Sequence, residues 1–207
     1  EMDCIETLAR VDTLCVDKTG TITENKMTVT DVICLTNELS QPHISRIMAD
    51  YVFAHQADNA TMISLKKYFT GKATRSAVTT LPFTSSRKFG AVTFEDGESF
   101  LLGAPDVILA SRYDTVAPTV DKYSAKGCRV LLLAAYSGDV SAAPLGGKVV
   151  PLALILLANK IRDEAPETFR YFAENNVDIK VISGDNAMAV SEVARRAGIA
   201  HAERFVD

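Results

Sequence analysis

Apolar positions fall in two rhythms along this chain, a helical one and a strand-like one, and their order predicts the architecture. Ile5, Leu8 and Ala9 recur at helical spacing over residues 4–10 and lead into the short apolar run Leu14-Cys15-Val16, which predicts a buried strand ending at Asp17. Residues 29–35 read as a strand and 37–41 as a loop. Residues 42–55 read as a helix with Ile44, Ile47, Met48, Tyr51 and Val52 on one face, and Asn59 is placed to cap a further helix that carries Met62, Ile63, Leu65 and Phe69 before Gly71 stops it. Antiparallel strands are expected at 81–83, 89–94 and 99–102, the last two joined at Asp96-Gly97. Pro105 opens a helix through Val107, Ile108 and Leu109, a short helix at 120–126 ends at Gly127, and strands follow at 129–136 and 149–158 around a loop rich in small residues. The last part, helix 164–175, strand 179–182, turn 183–186 and helix 187–197, is the repeating unit of a parallel α/β sheet. Two Rossmann-like pieces therefore flank a long α+β insertion.

Composition narrows the class. The 207 residues are 47% hydrophobic, enough for a proper core in one large or two small domains. With 22 basic against 26 acidic residues the net charge is -4, which argues against a nucleic-acid surface. Cys4, Cys15, Cys34 and Cys128 form no Cys-x-x-Cys pair and read as reduced thiols; His43, His55 and His201 lack metal-ligand spacing, and His55 is expected to pack or to close its helix. The longest apolar run, 149–158, is too short to span a bilayer and contains Pro151, and the acidic opening Glu1-Met2-Asp3 is unlike a signal peptide, so the chain is expected to be soluble.

The chemistry centres on Asp17. A carboxylate at the carboxyl end of a strand in an open α/β sheet lies where such sheets bind ligands, followed here by Lys18-Thr19-Gly20-Thr21. Asp17 is thus a candidate nucleophile. Two residues on, where phosphatases that form an acyl-phosphate place a second Asp as general acid and base, stands Thr19, which can hold a phosphoryl oxygen but cannot relay the proton. Lys18 reads either as a solvated charge or as a phosphate or carboxylate partner.

Asp17-Lys18-Thr19-Gly20-Thr21, continued by Ile22-Thr23-Glu24-Asn25-Lys26-Met27-Thr28, resembles the phosphorylation motif of P-type cation-transporting ATPases. Further stretches extend the resemblance. Pro82 to Lys88 is similar to the family's nucleotide-binding segment, in which Phe83 would stack on adenine and Arg87 or Lys88 would supply positive potential. Leu102-Gly103-Ala104-Pro105-Asp106 resembles Lys-Gly-Ala-Pro-Glu, with Leu102 in place of the lysine and Gly103 allowing close approach of backbone to the base; Met62 stands where the calcium- and sodium-pump branches often carry glutamate. The adenine pocket is accordingly expected to be more apolar than usual. Gly127 to Leu131 is similar to the segment whose arginine, here Arg129, reaches the nucleotide phosphates. Asn159 to Asp163 stands at the family's Asp-Pro-Pro-Arg hinge, with Arg162 retained and counted among the nucleotide-binding residues. Ser183-Gly184-Asp185 resembles the Thr-Gly-Asp turn, in which Ser183 and the Gly184 N–H would hold the phosphoryl group and Asp185 would steady the loop.

The resemblance implies an α/β fold: a partial HAD-like Rossmannoid phosphorylation domain at 1–27 and 159–207, with a nucleotide-binding domain of antiparallel sheet flanked by helices at 28–158. It implies ATP and Mg2+ as cofactors, with Asp17 and the Thr19 carbonyl supplying part of the metal shell, and a place at the cytoplasmic face of a membrane. The expected partners are the rest of the same pump, its actuator domain and transmembrane helices, and a cation bound outside this segment, for which the Phe83 segment and the lack of a His-Pro dipeptide after the first insertion helices lean toward calcium. The family's Gly-Asp-Gly-x-Asn-Asp stretch is not found before Asp207, so the chain is expected to bind ATP but to phosphorylate itself poorly. A stand-alone HAD-type phosphatase and a catalytically silent nucleotide-binding module are the rival readings.

Overall fold

A computed structural model describes residues 11–37, 39–142 and 145–206. The helix expected at 4–10 lies outside the described residues. By its contacts the chain divides into two compact units, Glu1–Lys26 with Ser124–Cys128 and Asn159–Asp207, and Met27–Tyr123 with Arg129–Ala158. Among the described residues no helix is long and apolar enough to cross a membrane.

In chain order the elements are β1 (Thr13–Asp17), β2 (Thr23–Cys34), α1 (Gln41–Ala54), α2 (Ala60–Tyr68), β3 (Ala77–Leu81), β4 (Phe89–Phe94), β5 (Ser99–Gly103) and α3 (Pro105–Leu109). A 3-10 turn (Ala110–Thr115) then leads to α4 (Ala117–Ser124), β6 (Arg129–Ser137), β7 (Lys148–Ile161), α5 (Ala165–Glu174), β8 (Asp178–Ile182) and α6 (Ala187–Arg196). The strand expected at 81–83 instead ends at Leu81, because Pro82 has no N–H to give to a ladder. The short helix expected at 120–126 is shifted to Ala117–Ser124, and β2 and β7 are longer than the apolar runs that signalled them.

The first unit holds a two-stranded parallel ribbon in which β1 pairs with β8 from Thr13↔Asp178 to Asp17↔Ile182. Alternation decides its faces. Val16, Ile179 and Val181 pack with Ile22, Phe169 of α5 and Val193 and Ala194 of α6, while Cys15, Asp17, Lys180 and Ile182 point outward and are exposed.

The second unit is built on the strand order β2-β7-β6-β5-β4-β3, antiparallel from β7 to β3. Helices cover both faces of this sheet. Val92, Phe100, Leu133 and Ile155 meet α1 and α2 on one face, and Ala91, Leu101, Leu132 and Leu154 meet Ile108, Leu109, Val116 and Val120 on the other. Because both faces are buried, β5 and the middle of β6 and β7 read as continuous apolar runs rather than alternating ones. The register irregularity between Leu133 and Ala134 falls opposite Pro151, which cannot donate to the ladder.

One buried charge ties this unit together. Asp50 of α1 is 1% exposed and accepts from the Thr74 N–H at 2.7 Å and from Arg75 Nε at 2.8 Å. The same guanidinium pairs with Glu98 and lies 4.2 Å from the Phe94 ring centroid. Burial alone would raise the Asp50 carboxyl, but the Thr74 hydrogen bond and the bond and charge of Arg75 outweigh it and hold it below the usual carboxylate range. His55 closes α1: its Nδ1 lies 2.9 Å from the Tyr51 carbonyl oxygen and its ring stacks on Tyr51 at 4.4 Å, so the packed or capping role expected for it is the one found.

Two outcomes are expected. Asp50→Ala removes the buried acceptor of the Thr74 N–H and of Arg75 Nε and should cost about 3 kcal/mol in urea unfolding at neutral pH. Since the folded carboxyl is held low, its contribution is present above the ordinary value of about 3.9 and is lost as pH falls through the lowered one, so the gap between parent and variant should hold from neutral pH to about 4 and narrow below. Gly103→Ala should cost about 2 kcal/mol by the same measurement, because a Cβ there would strike the Lys88 carbonyl oxygen and come within 2.5 Å of Phe89 Cα, both of them backbone.

Candidate active site

Asp17 ends β1 opposite Ile182, the last residue of β8, so the parallel pairing releases two loops side by side at the carboxyl end of the ribbon. The loop after Asp17 is tied on itself. The Lys18 carbonyl accepts from the Ile22 and Thr23 N–H groups at 3.1 and 3.0 Å, and Ile22, fully buried, anchors the turn in the core. Gly20 sits at φ +83, where a side chain would be strained and would also meet the Asn25 amide oxygen at 2.6 Å. Arg162 fastens the turn from another segment of the same unit: its guanidinium donates to the Gly20 carbonyl at 2.8 Å and its backbone N–H to that of Ile22 at 3.0 Å.

The second loop joins the first through an ion pair. Lys18, only 12% exposed, is paired with Asp185, so of the two readings of this lysine the carboxylate partner is the one found. The Ser183 Oγ accepts from the Asp185 N–H at 3.3 Å, nothing crowds Gly184, and Asn186 caps α6 by accepting from the Met188 and Ala189 N–H groups. Asp17 and Thr19 remain open to solvent. The arrangement is a free carboxylate beside hydroxyls, an open backbone and a lysine already neutralised by a partner. Asp17 and the Thr19 carbonyl offer the oxygen donors a hard cation prefers, but among the described residues no group of three or more His, Cys, Asp or Glu side chains is placed to hold a metal.

The second unit contains a cavity of about 870 Å³ between the α2 start, the turn before β4 and the ends of β5 and β6. Phe83, Lys88, Gly103 and Arg129 line it together with Met62 and Leu102. Phe83 is 46% exposed, which leaves a ring face free. Lys88 takes the left-handed conformation at φ +59, held by its N–H to the Thr84 carbonyl at 2.7 Å and by its own carbonyl, which accepts from the Ala104 N–H at 2.9 Å. A non-glycine residue there is a strained one held by its neighbours. Arg129 Nη1 donates to the Thr61 hydroxyl at 3.0 Å, which supplies the acceptor an arginine opening an apolar strand needs. Met62 and Leu102 are 7% and 5% exposed and put carbon and sulfur on the wall, in keeping with the apolar pocket the sequence suggests.

Two residues expected to bind nucleotide stand elsewhere. The Arg87 guanidinium is spent on the Pro82 and Phe89 carbonyls and is not part of the cavity wall, because its short turn folds it back on its own backbone. Arg162 braces the Asp17 loop, as described. Conversely, Tyr51 and Thr61 line the cavity without having been singled out. A tyrosine on an otherwise apolar helix face brings a hydroxyl in need of a partner, and that was the available signal for Tyr51; Thr61 carried none.

Residues 11–207 match the model of the haloacid dehalogenase-like hydrolases. The calcium-transporting ATPase CtpE of Mycobacterium bovis is 41% identical over 199 residues, which cover 96% of this chain and 25% of that protein. The probable cation-transporting ATPase exp7 of Streptococcus pneumoniae is 37% identical over 209 residues, 100% of this chain and 26% of that protein. The chain thus spans about a quarter of the length of the curated relatives it matches. A crystal structure of a zinc-transporting PIB-type ATPase in the E2.Pi state superposes with a TM-score of 0.71 at 21% identity, covering 94% of this chain and 29% of that one, which establishes a shared fold. This chain belongs to the haloacid dehalogenase-like hydrolases, and its similarity within them lies with the cation-transporting ATPases.

Proposed function

We propose that the chain is the nucleotide-binding and phosphorylated part of a cation-transporting P-type ATPase, in which ATP held in the cavity of the second unit phosphorylates Asp17. The observation that carries this reading is the convergence of Asp17-Lys18-Thr19-Gly20-Thr21 and Ser183-Gly184-Asp185 at one end of a parallel ribbon, joined by the Lys18 to Asp185 pair. An Asp17 carboxylate oxygen attacks the γ-phosphorus, the bond to the bridging oxygen of ADP breaks, and an aspartyl phosphate remains. The Ser183 hydroxyl and the Gly184 N–H receive the phosphoryl oxygens, and Thr19 adds a hydroxyl without offering a proton relay, so the acyl phosphate persists. Mg2+, held by Asp17 and the Thr19 carbonyl, would neutralise charge on the transferring group.

At the other end of the nucleotide, Phe83 stacks on the base while Lys88 and Arg129 face the phosphate chain. The segments 1–27 with 159–207 serve as the phosphorylation domain and 28–158 as the nucleotide-binding domain. The remainder of such a pump, including its membrane helices and actuator domain, lies outside this sequence, and the name of the mycobacterial relative favours calcium as the cation moved.

Titration of ATP into the protein, followed by calorimetry, should show sub-millimolar to millimolar binding. Phe83→Ala should weaken it roughly tenfold or more through loss of stacking, and Arg129→Ala through loss of charge. No heat at several millimolar ATP, or brisk release of phosphate from p-nitrophenyl phosphate, would overturn the reading in favour of another cap and a phosphatase.

A further inference from the structure

Tyr51 is 1% exposed, yet it forms part of the cavity wall. Burial pushes its phenol far above the ordinary tyrosine range against a weaker opposing effect of the Arg87 charge, so the side chain is a neutral hydroxyl, both donor and acceptor. Among the described residues every side-chain nitrogen or oxygen sealed from solvent has a hydrogen-bond partner. The Tyr51 Oη has none among them: the bond this residue makes to His55 comes from its carbonyl, and the ring contact is a stacking one. The hydroxyl is therefore not sealed, and Tyr51 is one of the residues that line the cavity.

The surroundings define what it can meet. Met62, Leu65 and Leu102 share its cluster and offer no partner. Gly90 keeps the space around the hydroxyl clear: a Cβ there would lie 2.8 Å from the Tyr51 Oη, 3.0 Å from the Leu81 carbonyl oxygen and 3.2 Å from the Phe83 nitrogen. The hydroxyl thus belongs to a small polar corner next to the backbone of Phe83, the residue assigned to cover the face of the base.

We infer that Tyr51 is the specificity-determining residue for the base: its Oη takes the amino-bearing edge of adenine while Phe83 covers the ring. This rests on the nucleotide reading above. A hydroxyl can accept from the 6-amino group, which the unsubstituted purine lacks.

The test is Tyr51→Phe, titrated with ATP and with purine riboside triphosphate, which lacks the 6-amino group. ATP affinity should fall about three- to tenfold, the loss of one hydrogen bond, while the weaker affinity for the analogue stays the same. The melting temperature should be unchanged or higher, because the deleted hydroxyl leaves no protein group unpaired. Equal ATP affinity in parent and variant would overturn the assignment, and so would equal losses for both ligands or a lowered melting temperature, which mark a structural role. If the parent itself binds no ATP, the nucleotide reading falls and this inference with it; if the parent binds and the variant matches it, only the inference falls.

Discussion

The parallel pairing of β1 with β8 is the constraint on which the proposed chemistry depends. It brings loops from opposite ends of the sequence to one edge, and its register decides which side chains reach solvent. A slip by one residue would turn Asp17 toward the helices and push Val16 into water. The apolar contacts of Val16, Ile179 and Val181 with α5 and α6 oppose that slip, so hydrophobic packing on one face fixes the carboxylate on the other. The Lys18 to Asp185 pair adds little energy, since Asp185 is half exposed. Its effect is directional: it fixes which loop faces which, and it removes a free cation from beside Asp17.

In the second unit the governing fact is a sheet buried on both faces. Such a sheet has little room for polar groups in its middle, so the groups that it offers a nucleotide on the proposed reading stand where strands begin or end. Lys88 precedes β4, Gly103 closes β5, and Arg129 opens β6. Gly103 has no side chain because the backbone of Lys88 and Phe89 occupies that space, and the same contact holds Lys88 in its left-handed conformation. Packing of the hairpin and presentation of the lysine are one requirement. Asp50 and Arg75 fasten α1 to the segment before β3, where the cost of a buried carboxylate is offset by three donors, and two aromatic rings pack on the guanidinium.

Much of this was legible in the sequence because it rests on local rules. Asn59 caps α2 and Asn186 caps α6 through short side-chain bonds, Gly97 turns the β4–β5 hairpin at φ +83, and β8 followed by α6 reads as an α/β unit. The Asp17 turn was legible for the same reason, since Gly20 and the threonines lie within a few residues of the strand end. The failures involve distance or competition. Pro82 ended a strand that its apolar neighbours would have continued, and Arg87 folded onto its own turn where the resemblance to a nucleotide-binding segment pointed to a ligand. The partners of Arg129, Arg162 and Asp50 lie far away in sequence, and no periodicity announces a contact between residues 61 and 129 or between 20 and 162. Tyr51 was counted with the apolar face of its helix because its ring is buried; what its hydroxyl does is decided by Gly90 and the turn at Phe83, which the helix pattern does not contain.

On the proposed reading, the difference between a phosphatase and a pump comes down to the side chain two residues after the nucleophile. An acid there would donate its proton to the leaving group and take one from the attacking water, so the acyl phosphate would form and vanish at one site. A threonine can only bond to the phosphoryl oxygens. It leaves the bond in place until something else positions the water; Lys18, held by Asp185, does not supply that role, and Ser183 accepts a bond from its own loop. A long-lived intermediate has a use only if the energy stored in it is released through a conformational change elsewhere. The loop around Asp17 fits that demand, being braced by Gly20, Ile22 and Arg162 to hold a phosphorylated state rather than to turn it over.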